Sequence, residues 1–138
     1  MLAGIALAVS ACGSSSPAAT TPRPPAPVNL TVFIDNSRVS VSPTIVGAGP
    51  VEFIITNQAT QAESLTILPS RTSAGRPLAS TAPINPQATA QITVDFSSPG
   101  RYSVATGGDG LGGGSGIRAA SIHIGAKRAS SDNQLLQP

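Results

Sequence analysis

A chain of 138 residues holds one domain of about 100 residues plus tails, enough to bury a core without covalent staples. Charged side chains make up 10% of it, the net charge is +2, and there are three Phe, one Tyr and no Trp; with neither a basic stripe nor interleaved aromatics, this composition argues against nucleic acid as a partner. Fourteen glycines and thirteen prolines favour short strands joined by turns, and a single cysteine forms no internal disulfide and no cysteine-based metal site.

In chain order, Leu2 to Ala11 is an apolar run closed by small residues. It is too short to span a bilayer and long enough for the core of a signal peptide. Val9-Ser10-Ala11-Cys12 resembles the lipobox of bacterial lipoproteins, which implies a signal peptide over residues 1–11, acylation of Cys12 and an extracytoplasmic chain anchored to the membrane by lipid. No Lys or Arg precedes the run, a departure from the signal-peptide pattern. Residues 12–27, rich in Ser, Thr and Pro, have no apolar periodicity and prolines that block helix and ladder alike. They read as a tether.

The predicted folded part is 28–125. Leu30, Val32 and Ile34 alternate with Asn29, Thr31 and Phe33, giving a first strand over Val28 to Ile34. Asp35-Asn36-Ser37 is a turn, Arg38 to Ser42 a short second strand, and Gly47-Ala48-Gly49-Pro50 a further turn. Val51, Phe53 and Ile55 then mark a strand ending at Asn57, and Leu65 and Ile67 resume the alternation after a polar turn, with Glu63 on their parity at the mouth of the core. Pro69 to Pro86 is a long connection in which Arg71 and Arg76 are candidates for contact with an anionic partner. Ala90, Ile92, Val94 and Phe96 give the clearest strand, and Pro99-Gly100 turns into another where Tyr102, Val104 and Thr106 share one face. A glycine-rich loop over 107–116 leads to a closing strand from Ile117 to Ile124, and 126–138 is expected to be a disordered tail.

About seven short alternating strands at this spacing suggest an all-β sandwich. The sequence Pro43-Thr-Ile-Val-Gly-Ala-Gly-Pro-Val-Glu-Phe-Ile-Ile-Thr-Asn57, followed by Ala88 to Phe96 and Pro99-Gly100-Arg101-Tyr102, resembles the secreted cupredoxin-like domain over Val28 to Ile124. The resemblance implies a Greek-key β-sandwich. In its copper-binding members it places the first histidine at Glu63 or Ser64, the cysteine at Thr106, and the second histidine and a methionine in the loop that is glycine-rich here. None of those ligands is present. Beyond the leader the chain has no methionine, no thiol besides Cys12, and one imidazole, His123; a blue-copper centre requires a thiolate and two imidazoles. No cofactor is therefore expected.

The remaining candidates are weaker. Glu63 and Asp109 could form a weak cation site through oxygen. Phe33 and Ile54, apolar on the outward face, could meet an envelope protein or cell-wall partner. His123 has no serine motif or carboxylate beside it in sequence and reads as an exposed structural residue. The leading expectation is a non-enzymatic, metal-free, membrane-anchored lipoprotein; the alternative is an accessory in copper handling or electron transfer at the cell surface.

Overall fold

The computed structural model describes residues 23–70, 76–107 and 116–130. Among them the regular elements are eight strands and no helix. These are β1 (Val28–Ile34), β2 (Val39–Ser42), β3 (Ile45–Asn57), β4 (Leu65–Pro69), β5 (Ala79–Ser80), β6 (Thr89–Phe96), β7 (Gly100–Thr106) and β8 (Ala120–Lys127).

The strands form two layers joined through β3. In one layer β1 pairs with β2 antiparallel and with β3 parallel, while β6 pairs antiparallel with the C-terminal part of β3. In the other, the N-terminal part of β3 runs parallel to β8, and β8, β7, β4 and β5 follow as antiparallel neighbours. Between β5 and β7 in sequence, β6 crosses to the opposite layer, so neighbours in the chain are not neighbours in the sheet. Leu30, Val32, Ile34, Val51, Phe53 and Ile55 from the first layer meet Leu65, Ile67, Val104, Ile122 and Ile124 from the second. Phe96 joins the layers, with its ring 6.2 Å from Phe53 and 4.7 Å from Tyr102, the latter edge-on. The Tyr102 hydroxyl donates to Ser98 O at 2.9 Å, fixing the turn between β6 and β7.

Three expectations need correction. The turn at Gly47-Ala48-Gly49-Pro50 lies inside β3. Yet the glycines do mark a break, since the register with β8 shifts between Gly47 and Ala48 and from Gly49 onward the partner is β6. The chain changes sheet here, which explains why turn-forming residues sit within a strand. Secondly, β5 lies in the connection between Pro69 and Pro86, whose Ile84 is in the core. Ala90 and Ile92 face the core as expected and are its half-buried margin, because β6 pairs with β3 alone and forms an edge.

The third correction concerns both ends of the domain. β8 continues through Lys127, and Arg128 to Ser130 are hydrogen-bonded to the rest, where the sequence suggested a disordered tail from residue 126. On the N-terminal side the end of the tether is docked, with Pro25 buried. Apolar periodicity is absent from both segments, so no sequence pattern reveals contacts made by backbone and guanidinium.

Candidate functional site

The end of the sandwich where β1 and β3 finish and β4 begins holds a cavity of about 670 Å³ whose walls include Asn36, Thr60, Gln61, Glu63, Ser64 and Gly107. Three asparagine and aspartate side chains build its frame. Asp35 Oδ1 accepts from Ser37 N at 2.7 Å, Ser37 Oγ at 2.6 Å and Arg38 N at 2.9 Å, closing the β1–β2 turn. The Ser37 hydroxyl, then the Ser37 and Arg38 amides, hold its carboxyl below the ordinary carboxylate value. Next to it Asn36 Oδ1 accepts from Thr60 N at 2.9 Å and from Thr60 Oγ1 at 3.0 Å, tying that turn to the loop after β3.

Asn57 is fully buried at the root of the same loop. Its Nδ2 donates to Gln61 O at 2.8 Å and Ile84 O at 2.7 Å, and its Oδ1 accepts from Ala59 N at 2.9 Å. One side chain thus commits both amide hydrogens and its carbonyl oxygen to the backbone and holds two loops against the core. Glu63 and Ile84 exchange backbone hydrogen bonds at 3.1 and 2.9 Å. Thr66, also fully buried, donates from Oγ1 to Gly107 O at 2.8 Å and lies 3.1 Å from Ser80 Oγ. Thr66 and Leu68 are buried although they face away from the core layer, a departure from simple alternation to which the β5 segment contributes by pairing beside β4.

The sequence-derived candidates are distributed as follows. Glu63 is half-buried on the cavity wall, and Thr106, fully buried, pairs with Leu65 across β4 and β7. Gly107 N donates to Ser64 O at 3.1 Å, so Glu63, Ser64 and Thr106 come together at this end. His123 is elsewhere: it is exposed in the middle of β8, between Ile45 of β3 and Arg101 of β7 on the outer face. Phe33 and Ile54 lie on adjacent strands of the other outer face, because β1 and β3 pair Thr31 with Ile54 and Phe33 with Thr56. Phe33 is 46% exposed, whereas Ile54 is half-buried. Arg76 is exposed. Cys12, Arg71 and Asp109 lie outside the described residues.

The donors gathered at the cavity are amide, hydroxyl and carboxylate oxygens. They do not fit a blue-copper ion, which is held by thiolate and imidazole; no His, Cys or Met occurs anywhere in the glycine-rich stretch, and the single imidazole faces a different surface. Among the described residues no group of three or more His, Cys, Asp and Glu is placed to hold a metal ion. Sequence reasoning took Asn57 only as the end of a strand and missed its role in binding two loops. The signal available was an Asn at a strand terminus followed by a polar turn, which suits side-chain bonding to the local backbone.

No protein-family model matches the sequence, and no curated protein does. Solved structures do resemble this one. Auracyanin B superposes with a TM-score of 0.52 at 17% identity, over 72% of this chain and 89% of that one. Auracyanin A, described as a blue copper protein of Chloroflexus aurantiacus, gives 0.50 at 13%, over 72% and 99%. Reduced rusticyanin gives 0.50 at 13%, over 71% and 79%. At such identities the likeness concerns architecture alone, and that architecture is clear: the chain folds as a cupredoxin-like β-sandwich.

Proposed function

We propose that this is a non-enzymatic, metal-free binding domain of the cell envelope, held at the membrane through a lipid on Cys12. The observation that carries the metal-free part is the chemistry of the cavity end. Asn57 and Thr66, the buried polar side chains beside it, are committed to backbone carbonyls and amides. Glu63, Ser64 and Thr106 provide only oxygen at the positions where the resemblance places soft ligands. Such a rim suits hydrogen bonding to a polar partner and not the stabilisation of both copper oxidation states. The lipobox-like Val9-Ser10-Ala11-Cys12 and the Ser/Thr/Pro-rich stretch after it support the anchored, extracytoplasmic part.

Copper titration tests the first part. The purified domain is expected to develop no intense thiolate-to-copper absorption with Cu(II), and a visible blue band from a chain beginning after Cys12 would refute it. Metabolic labelling with palmitate tests the second. Incorporation is expected in the wild type and should vanish in Cys12→Ala; label that persists in the variant removes the anchor. An accessory role in copper handling has one favouring observation, the exposure of His123. It requires weak copper uptake that His123→Ala abolishes.

A further inference from the structure

We propose that the end of the sandwich opposite the cavity is a membrane-facing surface, which clamps the last residues of the tether and turns a positive pole toward anionic lipid headgroups. This rests on the anchored reading given above, and it adds which face of the domain the membrane meets.

The clamp is Arg128. Where β3 leaves one layer for the other, carbonyl groups at the corner must find donors outside an unbroken ladder. Arg128 supplies them: its backbone N donates to Ala48 O at 3.0 Å, its Nε reaches the same oxygen at 3.3 Å, and its Nη2 donates to Pro50 O. The remaining arm of the fork, Nη1, donates to Ala26 O at 2.5 Å, so the guanidinium also holds the tether. Gly47 and Gly49 make room for it. A Cβ on Gly47 would lie 2.6 Å from Arg128 Cγ, and one on Gly49 would lie 2.8 Å from Pro25 Cγ and 3.0 Å from Arg128 Nη2. Ser130 Oγ donates to Arg23 O, adding a second tie between the C-terminal segment and the tether.

The chain therefore enters the domain at a fixed place and not from a flexible joint at Pro27. From Cys12 to Arg23 eleven residues remain, which reach at most ~40 Å even when fully extended. The tether meets the domain at the end marked by Lys127, Pro50 and Phe96, while the cavity with Glu63 lies at the other end of the strands. Charge follows the same polarity. Among the described residues, Arg23, Arg101 and Lys127 are exposed around the half-buried Arg128; the carboxylates nearest them are Asp95, which shares a small cavity with Lys127 and Pro24, and the half-buried Glu52, two residues along β3 from Pro50. At the cavity end, counting the described residues, Asp35 lies 3.8 Å from Arg38, and Glu63 balances Arg118, which bridges to Arg38. A basic side chain near an anionic leaflet contributes attraction that falls off within a Debye length, so the short anchor keeps this pole within range.

The test joins Cys12, the only cysteine in the chain, to a maleimide phospholipid in nanodiscs of phosphatidylcholine and phosphatidylglycerol in equal parts. A gadolinium-chelating lipid serves as the relaxation agent, and alanine methyl signals are read by NMR. This linkage makes the result independent of acylation in the cell, which palmitate labelling addresses separately. The Ala129 methyl should relax several-fold faster than that of Ala62. Replacing phosphatidylglycerol with phosphatidylcholine, or making Arg128→Lys, should narrow the difference. Equal relaxation, or faster relaxation at Ala62, in the wild type overturns the proposal whether or not the variant folds. A difference insensitive to lipid charge overturns the headgroup assignment, and one undiminished in Arg128→Lys overturns the clamp.

Discussion

Asn57 shows how one buried amide at the end of a strand can hold two loops of the fold. Replacing it with alanine strands the Ala59 N–H and the Gln61 carbonyl and leaves the Ile84 carbonyl with the Glu63 N–H alone. Loss of partners in a buried site costs about 2–4 kcal/mol, to be read as a lower urea midpoint at unchanged slope. Asp35 gives a pH dependence of opposite exposure. Its folded carboxyl titrates below the ordinary value because Ser37 and Arg38 donate to the ionised form. Folding is therefore favoured by its ionisation above the unfolded value, and that contribution disappears as pH falls through the lowered folded value. The stability gap between wild type and Asp35→Asn should accordingly be present at neutral pH and close in acid, measured as urea midpoints across the pH range. That Asp35 turns the chain was legible in Asp-Asn-Ser, because the bonds are local. The reach of Asn57 to Ile84 was not, since the partner lies 27 positions away.

At the scale of elements, alternation was informative wherever a strand has one face in the core. β1, with Leu30, Val32 and Ile34 inward, follows it closely, and β7 follows it through Tyr102 and Val104 before Ala105 and Thr106 are buried as well. It misled where a strand changes partners. Gly47-Ala48-Gly49-Pro50 has the composition of a turn, and in β3 those residues make the corner between layers. Gly49 has φ +126° and two neighbours within 3.0 Å of a built Cβ. Gly49→Ala should therefore destabilise the domain by more than about 1 kcal/mol and loosen Ala26 as well, seen as lower thermal midpoint together with faster motion of the Ala26 methyl. A stability loss without movement at Ala26 would mean that the corner and the tether are not coupled.

At the scale of the whole molecule, the domain has distinct ends. One gathers Asn36, Thr60, Glu63 and Ser64 around a polar cavity, and the other binds its own N- and C-terminal segments through Arg128. Ending the chain after Lys127 removes no core side chain, yet it takes away the hydrogen bonds that Arg128 donates to the Ala26, Ala48 and Pro50 carbonyls. With charged-donor bonds at about 1.5–3 kcal/mol each and incomplete additivity, this truncation should lower the thermal midpoint by several degrees in calorimetry. A domain unaffected by the loss would show that water satisfies those carbonyls equally well.

The sequence by itself determined the all-β class, the faces of most strands and the shortage of soft metal donors, because periodicity and composition are local properties that survive without coordinates. Only the tertiary structure decided that β3 is shared between layers, that Glu63 and Thr106 converge while His123 sits apart, and that the supposed free ends of the domain are fastened to each other. Those features depend on which distant backbone groups meet, and neither residue spacing nor hydropathy encodes the identity of a carbonyl's partner.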